Sequence, residues 1–431
     1  MQQWSRFVPV LALFLGACAS PMHDGWRSYE RGDYAAALAT WQPLAEAGDA
    51  DAQFLVAVLH DDGQGVAVDR VHAAEWYERA AEQGHAAAQN NLGLLYYRGD
   101  GVPASKEHAA EWYTRAADQG FAKAASNLAL MHLAGQAVER DVERARQLLE
   151  FAARGGDGRA LSMLGTAYRR GLGVEADPSR ARRWLTAAAE QGQGQADVEL
   201  GLLELETGRE RAAARAFERG AERGEPEALF ALGRLRQEGR GVERDDGLAA
   251  RLYLRAAEAG HGGAQAEVGR LLLEGHGLER NDAEGLRWIR AAAEAGDARG
   301  QHNLALLHLK GRGMPVDHAQ AALWFQRAAE QGFGPSQARL GAMLEHGLGR
   351  WRDVGEAHLW YSLAAAAGET GAAERRDDLA QHVDPATRAA TAKLAGAVPE
   401  TRGGVWLAGT GPAADLQLRA RGFPSAPLPR P

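Results

Sequence analysis

Fourteen histidines, a single cysteine, recurrent Gly-x-Gly turns, adjacent carboxylates and 45 Arg against 4 Lys are the groups in this 431-residue chain that could do chemistry. Histidine and carboxylate clusters hold metals or move protons, glycine turns cradle phosphates, and a lone thiol can carry an acyl group. His60, His132 and His308 each stand 12 residues after the glycine that opens their segment, where sister segments carry Tyr96 and Tyr168. A place shared with tyrosine is a packing place with a polar tip. Turns such as Gly63-Gln64-Gly65, Gly171-Leu172-Gly173 and Gly239-Arg240-Gly241 lack the third Gly of a dinucleotide fingerprint and the Gly-Lys-Ser/Thr of a phosphate loop. Pairs such as Asp61-Asp62 read as solvated helix ends, and neither His-Glu-x-x-His nor Gly-x-Ser-x-Gly occurs. One Cys excludes a disulfide framework and a thiolate zinc cluster. These residues predict a protein that is not an enzyme, with no metal and no cofactor.

The thiol has a different use. Arg6 precedes an apolar stretch from Phe7 to Leu15, far short of the roughly 20 residues a bilayer-crossing helix needs, so residues 1–17 read as a cleaved export signal. Leu15-Gly16-Ala17-Cys18 resembles the bacterial lipobox, which makes Cys18 the expected lipidation site and a membrane anchor. Ala19 follows in place of the Asp that resembles an inner-membrane retention signal, so the expected address is the outer membrane facing the periplasm. The alternative is a soluble periplasmic or secreted protein. A formal charge of −8, without a dense basic face, predicts no nucleic-acid partner.

What positions the remaining groups is a repeat. Gly48, Gly84, Gly120, Gly156 and Gly192 fall 36 residues apart, as do Gly224, Gly260, Gly296, Gly332 and Gly368, and the one short step, Gly192 to Gly224, is 32. Counting each opening Gly as register 0, small and apolar residues at 4, 8, 11 and 12 (Ala88, Leu92, Leu95, Tyr96) trace a first helix. A second helix follows at 25, 28, 29, 32 and 33, as in Ala73, Trp76, Tyr77, Ala80 and Ala81, with each Trp expected to fill space left by alanines. Register 21 carries helix N-caps throughout: Asp69, Ser105, Asp141, Asp177, Asp245, Asn281, Asp317 and Asp353. Glu284 and Glu356, three residues on, predict capping boxes.

This pattern, A-x-A-Q…L-G…Y…G-x-G-V…D…A…W-Y…A-A…Q-G, resembles the Sel-one-like repeat (SLR) family, a relative of the tetratricopeptide repeat. The resemblance implies an all-α fold, a right-handed superhelical α-solenoid of stacked antiparallel helix pairs. The expected layout is a tetratricopeptide-like helix pair over 22–47, nine SLR-type units over 48–367 with 192–223 shortened, capping helices over 368–395, and a flexible Pro/Gly-rich tail over 396–431. Val405-Trp406-Leu407 in that tail is a further docking candidate. Some family members carry paired cysteines linked to β-lactam chemistry; this chain lacks them.

By analogy with tetratricopeptide stacks, first-helix side chains line an inner groove. The expected partner-binding residues are Phe54, Asn90, Leu94, Arg169, Arg170, Leu202, Phe230, Arg234, Arg270 and His302. The function expected is a non-catalytic scaffold or adaptor lipoprotein of the bacterial envelope that grips a protein partner. The alternative is binding of acidic polysaccharide, in exopolysaccharide or cell-wall handling, through a strip of arginines, Arg98, Arg169, Arg170, Arg234 and Arg270.

Overall fold

A computed structural model of the chain describes residues 20–396; Cys18 and Val405-Trp406-Leu407 lie outside them. The described residues form 22 α-helices and no strand. From Tyr34–Glu46 to Val354–Ala366, nineteen consecutive helices are each 13 residues long, as a fixed register demands. The chain divides into two compact units, Met1–Leu203 and Glu204–Pro431. Within each, consecutive helices pack as pairs in a solenoid-type stack, and residues 368–396 add the helices Ala372–Ala380 and Pro385–Gly396. No described helix is long and apolar enough to cross a membrane.

Local chemistry explains the regularity. All eight register-21 residues cap their helix as predicted, for example Asp69 Oδ1 accepting from His72 N at 3.0 Å and Asp353 Oδ1 accepting from Glu356 N at 2.8 Å. The capping boxes do not form, because the N-cap backbone N–H is already used. It donates back to the register-12 carbonyl of the first helix, as in Asp69 N to His60 O (2.9 Å), Asn281 N to Leu272 O (2.9 Å) and Asp353 N to Leu344 O (3.0 Å). Each loop is thus pinned at both ends, which also accounts for the structural use of register 12.

The second glycine of the loop does more than turn the chain. Gly349 has φ +73°, and a Cβ placed on it would come within 2.0 Å of His318 O, in the first turn of the preceding repeat's second helix. Gly101 likewise meets Arg70 O at 2.2 Å, so these two loops dock backbone to backbone and at both positions only glycine fits. Ala137 keeps the same conformation at φ 56° without being glycine.

The deepest packing is a ring laid on a glycine. Tyr113 covers Gly93, Tyr253 covers Gly233 and Tyr361 covers Gly341, with contacts of 2.9, 2.8 and 3.2 Å to a notional Cβ. The expected burial of every Trp needs correction. Trp76 and Trp360 are buried, but Trp112, Trp184, Trp288 and Trp324 are half-buried. Arg115 and Arg327 lie over the indoles of Trp112 and Trp324 at 4.5 and 4.4 Å, so these rings take a cation on the face that alanines leave open.

Candidate functional site

The first helix of each repeat presents two neighbouring registers with different fates. Register 6 was expected on the groove floor, yet it meets the residue that caps the first helix of the next repeat. Phe54 stacks on His85 (4.6 Å between centroids), Phe230 on His261 (4.5 Å), and Ser126 Oγ donates to Asp157 Oδ1 (2.8 Å). His302 packs edge-on against Phe333 (5.3 Å), and its Nδ1 lies 2.8 Å from Ser336 Oγ. Burial holds the His302 pKa down, to about 4, with Arg339 acting in the same sense, so the ring is neutral at neutral pH. His85 and His261 serve as caps through Nδ1, which accepts from Ala88 N and Ala264 N at 3.1 and 3.0 Å.

Burial corrects three of the expected binding residues. Phe230 is 3 % exposed, Leu202 5 % and Asn90 6 %, so none offers its side chain to a partner. Phe230 is roofed by His261 and by Arg299, whose guanidinium sits 5.7 Å from the ring centroid. Phe54 and His302 remain half-buried.

Register 10 is partly open in the full-length repeats. In unit 1, Val58, Leu94, Leu130 and Thr166 are all half-buried; in unit 2, Arg234, Arg270, Leu306 and Ala342 are. The row runs through every full-length repeat of each unit and is interrupted only at buried Leu202 in the shortened one.

Four of the five arginines expected to form a strip are committed elsewhere, and exposed Arg98 is the exception. Glu199 Oε2 accepts from Arg169 Nε at 2.8 Å and its Oε1 from Arg170 Nη2 at 3.0 Å, with the Arg169 and Glu199 side chains 7 % and 6 % exposed. Arg234 pairs with Glu238 (3.3 Å), and Arg270 pairs with Glu267 (3.0 Å) and Glu274 (2.5 Å) on its own helix. Of that strip, only Arg98 keeps charge available to an anion.

Unit 1 also carries a polar ladder that spacing alone did not reveal. Asn91 Nδ2 donates to Tyr77 OH (3.1 Å), Asn90 Nδ2 to Asn91 Oδ1 (3.2 Å), Asn127 Nδ2 to Asn90 Oδ1 (3.0 Å), and Arg159 Nη1 to Asn127 Oδ1 (3.5 Å). The ladder ties three consecutive first helices together and ends in the exposed Arg159. Among the described residues, no group of three or more His, Cys, Asp or Glu is placed to hold a metal ion.

With the geometry established, comparisons place the chain. The Sel1 repeat model matches residues 50–85, 86–121, 122–157, 158–193, 226–261, 263–297, 298–333 and 334–369, more than half of the chain. No curated protein matches it. Among solved structures it is similar to c5321 from uropathogenic Escherichia coli strains, which displays an SLR fold, at 28 % identity over 95 % of this chain and 88 % of that one, with a TM-score of 0.70. It is also similar to a Sel1 repeat protein from Oxalobacter formigenes, at 28 % identity over 64 % of this chain and 97 % of that one, with a TM-score of 0.43. Eight matched repeats, set in the register that fixes every cap and loop described above, make this chain a member of the Sel1 repeat family.

Proposed function

We propose that the protein is a non-catalytic scaffold of the bacterial envelope, anchored by lipid on Cys18, which holds a protein partner along its first-helix faces. The observation that carries this reading is the row of half-buried register-10 side chains, Val58, Leu94, Leu130 and Thr166, one from each consecutive repeat of unit 1. Such a row suits an extended segment or a helix, because every stacked repeat lengthens the same surface without requiring a pocket. Sel1-type repeats are typical of protein-interaction scaffolds, which agrees with this use of the face. The similar c5321 is a protective antigen, in keeping with an exported protein. The signal-like segment before Cys18 and the Ala at 19 support an outer-membrane address facing the periplasm.

Crosslinking in intact cells, followed by recovery from solubilised membranes, tests the scaffold. The wild type should capture one envelope protein that Leu94→Glu with Leu130→Glu, confirmed to stay helical, no longer captures. Capture unaffected by both substitutions defeats the assignment to this face. Labelled palmitate tests the anchor: incorporation should vanish in Cys18→Ala, and its survival there rules out the proposed lipidation site.

A further inference from the structure

Four repeats place a tyrosine at register 29 with its ring against the first helix, and three of the four hydroxyls have partners. Tyr77 OH accepts from Asn91, Tyr253 OH donates to Gln237 Oε1 (2.9 Å), and Tyr361 OH donates to Glu345 Oε2 (3.0 Å). In the last two the acceptor is the residue at register 13 of the same repeat. The repeat that contains Tyr113 has Tyr97 there, and the Tyr97 hydroxyl turns away to donate to Gln136 Oε1 (2.9 Å). The Tyr113 ring is buried, the residue being 2 % exposed, while its hydroxyl oxygen keeps some contact with solvent and has no hydrogen-bond partner among the described residues.

The charges around that hydroxyl are one-sided. Burial raises the Tyr113 pKa, Arg98 and Arg159 oppose the rise, Tyr97 adds to it, and no carboxylate contributes. Tyr253, its counterpart in unit 2, feels Glu267 and Glu238 as well as Arg234 and Arg270. Neither Arg98 nor Arg159 makes an ion pair among the described residues, and both are exposed. Arg159 is nevertheless held in place, through Asn127 and Asn90, to the helix Ala86–Arg98 that carries Gly93 beneath the Tyr113 ring. Leu94 and Arg98 stand four residues apart on that helix, and Asn127 and Leu130 three apart on the next, so the apolar row borders the cations.

We infer that Arg98, Arg159 and the Tyr113 hydroxyl form a carboxylate-binding site for an acidic, partly apolar peptide segment of a partner protein. Two guanidiniums supply charge and paired donors, and the phenol supplies a third donor where sister repeats supply their own acceptor. Half-buried Leu94 and Leu130 take apolar side chains on either side, a feature that favours peptide over acidic polysaccharide. The inference rests on the scaffold reading and names the chemistry of its partner.

The test uses a fluorescein-labelled peptide of alternating Leu and Glu, titrated with the purified protein at low salt and followed by anisotropy. The wild type should bind it, bind a Leu-Gln counterpart at least tenfold more weakly, and lose affinity as salt rises. Arg98→Gln with Arg159→Gln should weaken binding at least tenfold and Tyr113→Phe about threefold, with circular dichroism unchanged. Absence of binding by the wild type, or affinity unchanged in the double variant, overturns the site. Equal competition by oligogalacturonate overturns the peptide assignment in favour of a sugar acid. The scaffold reading fails separately. A partner captured in cells that stays bound to the double variant refutes this site alone, whereas peptide binding with no captured partner refutes the scaffold.

Discussion

The first-helix faces of residues 86–170 in unit 1 and 226–345 in unit 2 come from the same repeat and treat polar groups in opposite ways. In unit 2, Arg234 and Arg270 are answered by glutamates three or four residues away, and Tyr253 and Tyr361 by Gln237 and Glu345. In unit 1, amides link the repeats, Glu199 is sealed between Arg169 and Arg170, and Arg98, Arg159 and the Tyr113 hydroxyl are left without acceptors that neutralise them. The repeat fixes where a side chain stands. Whether its charge is usable depends on the residues a turn away and on the repeat that follows.

The largest effect expected from this contrast is at Glu199. Glu199→Gln removes the carboxylate that both guanidiniums share in a buried site and should cost about 3 kcal/mol in urea unfolding. The equivalent change in unit 2, Glu238→Gln, touches a pair open to water and should stay within about 0.5 kcal/mol. Equal costs would erase the distinction between the two faces.

Register 6 gives the next contrast, an amide at Asn90 against an imidazole at His302. Because the folded pKa of His302 lies below the ordinary histidine value of 6.5, its contribution is fully present above pH 6.5 and is lost as pH falls towards 4. Partial exposure reduces the loss to about 2 kcal/mol at pH 4. His302→Phe, which installs the residue that Phe54 and Phe230 provide at that register, should flatten the acid limb of unfolding by this amount. An unchanged acid limb would mean that other groups carry it.

The smallest effect sharpens the comparison most. Tyr253→Phe removes a partnered hydroxyl and should cost about 1 kcal/mol, while Tyr113→Phe removes an unpartnered one and should cost nothing measurable or stabilise slightly. Matching losses would show that the Tyr113 hydroxyl already has an acceptor.

Much of the frame was legible from residue types alone. Period, helix pairing and all eight register-21 caps follow from local preferences, which need no knowledge of the next repeat. Register 6 was misread because its cover, His85 over Phe54 or His261 over Phe230, comes from a residue 31 positions later. Arg234 and Arg270 could have been discounted from glutamates four residues on, whereas the Arg169 pairing with Glu199 spans 30 residues and enters the shortened repeat. The exception at Tyr113 had a signal too: aligning register 13 shows Asp61, Gln237 and Glu345 in repeats where Tyr97 stands in this one. What no alignment of repeats supplies is the turn of the Tyr97 hydroxyl towards Gln136.

The docking of each second loop glycine on the helix before it bears on how the chain acquires its fold. Gly101 closes against Arg70 and Gly349 against His318, each about 31 residues earlier, a short loop to bring together in a chain this long. Contacts of such range favour fast, sequential folding with little search. A polypeptide that emerges amino terminus first can therefore lock each repeat as the next one arrives, like a zip drawn in one direction. A chain stopped between repeats would leave its last pair unlatched, and limited proteolysis of nested truncations should find cleavage confined to that final pair.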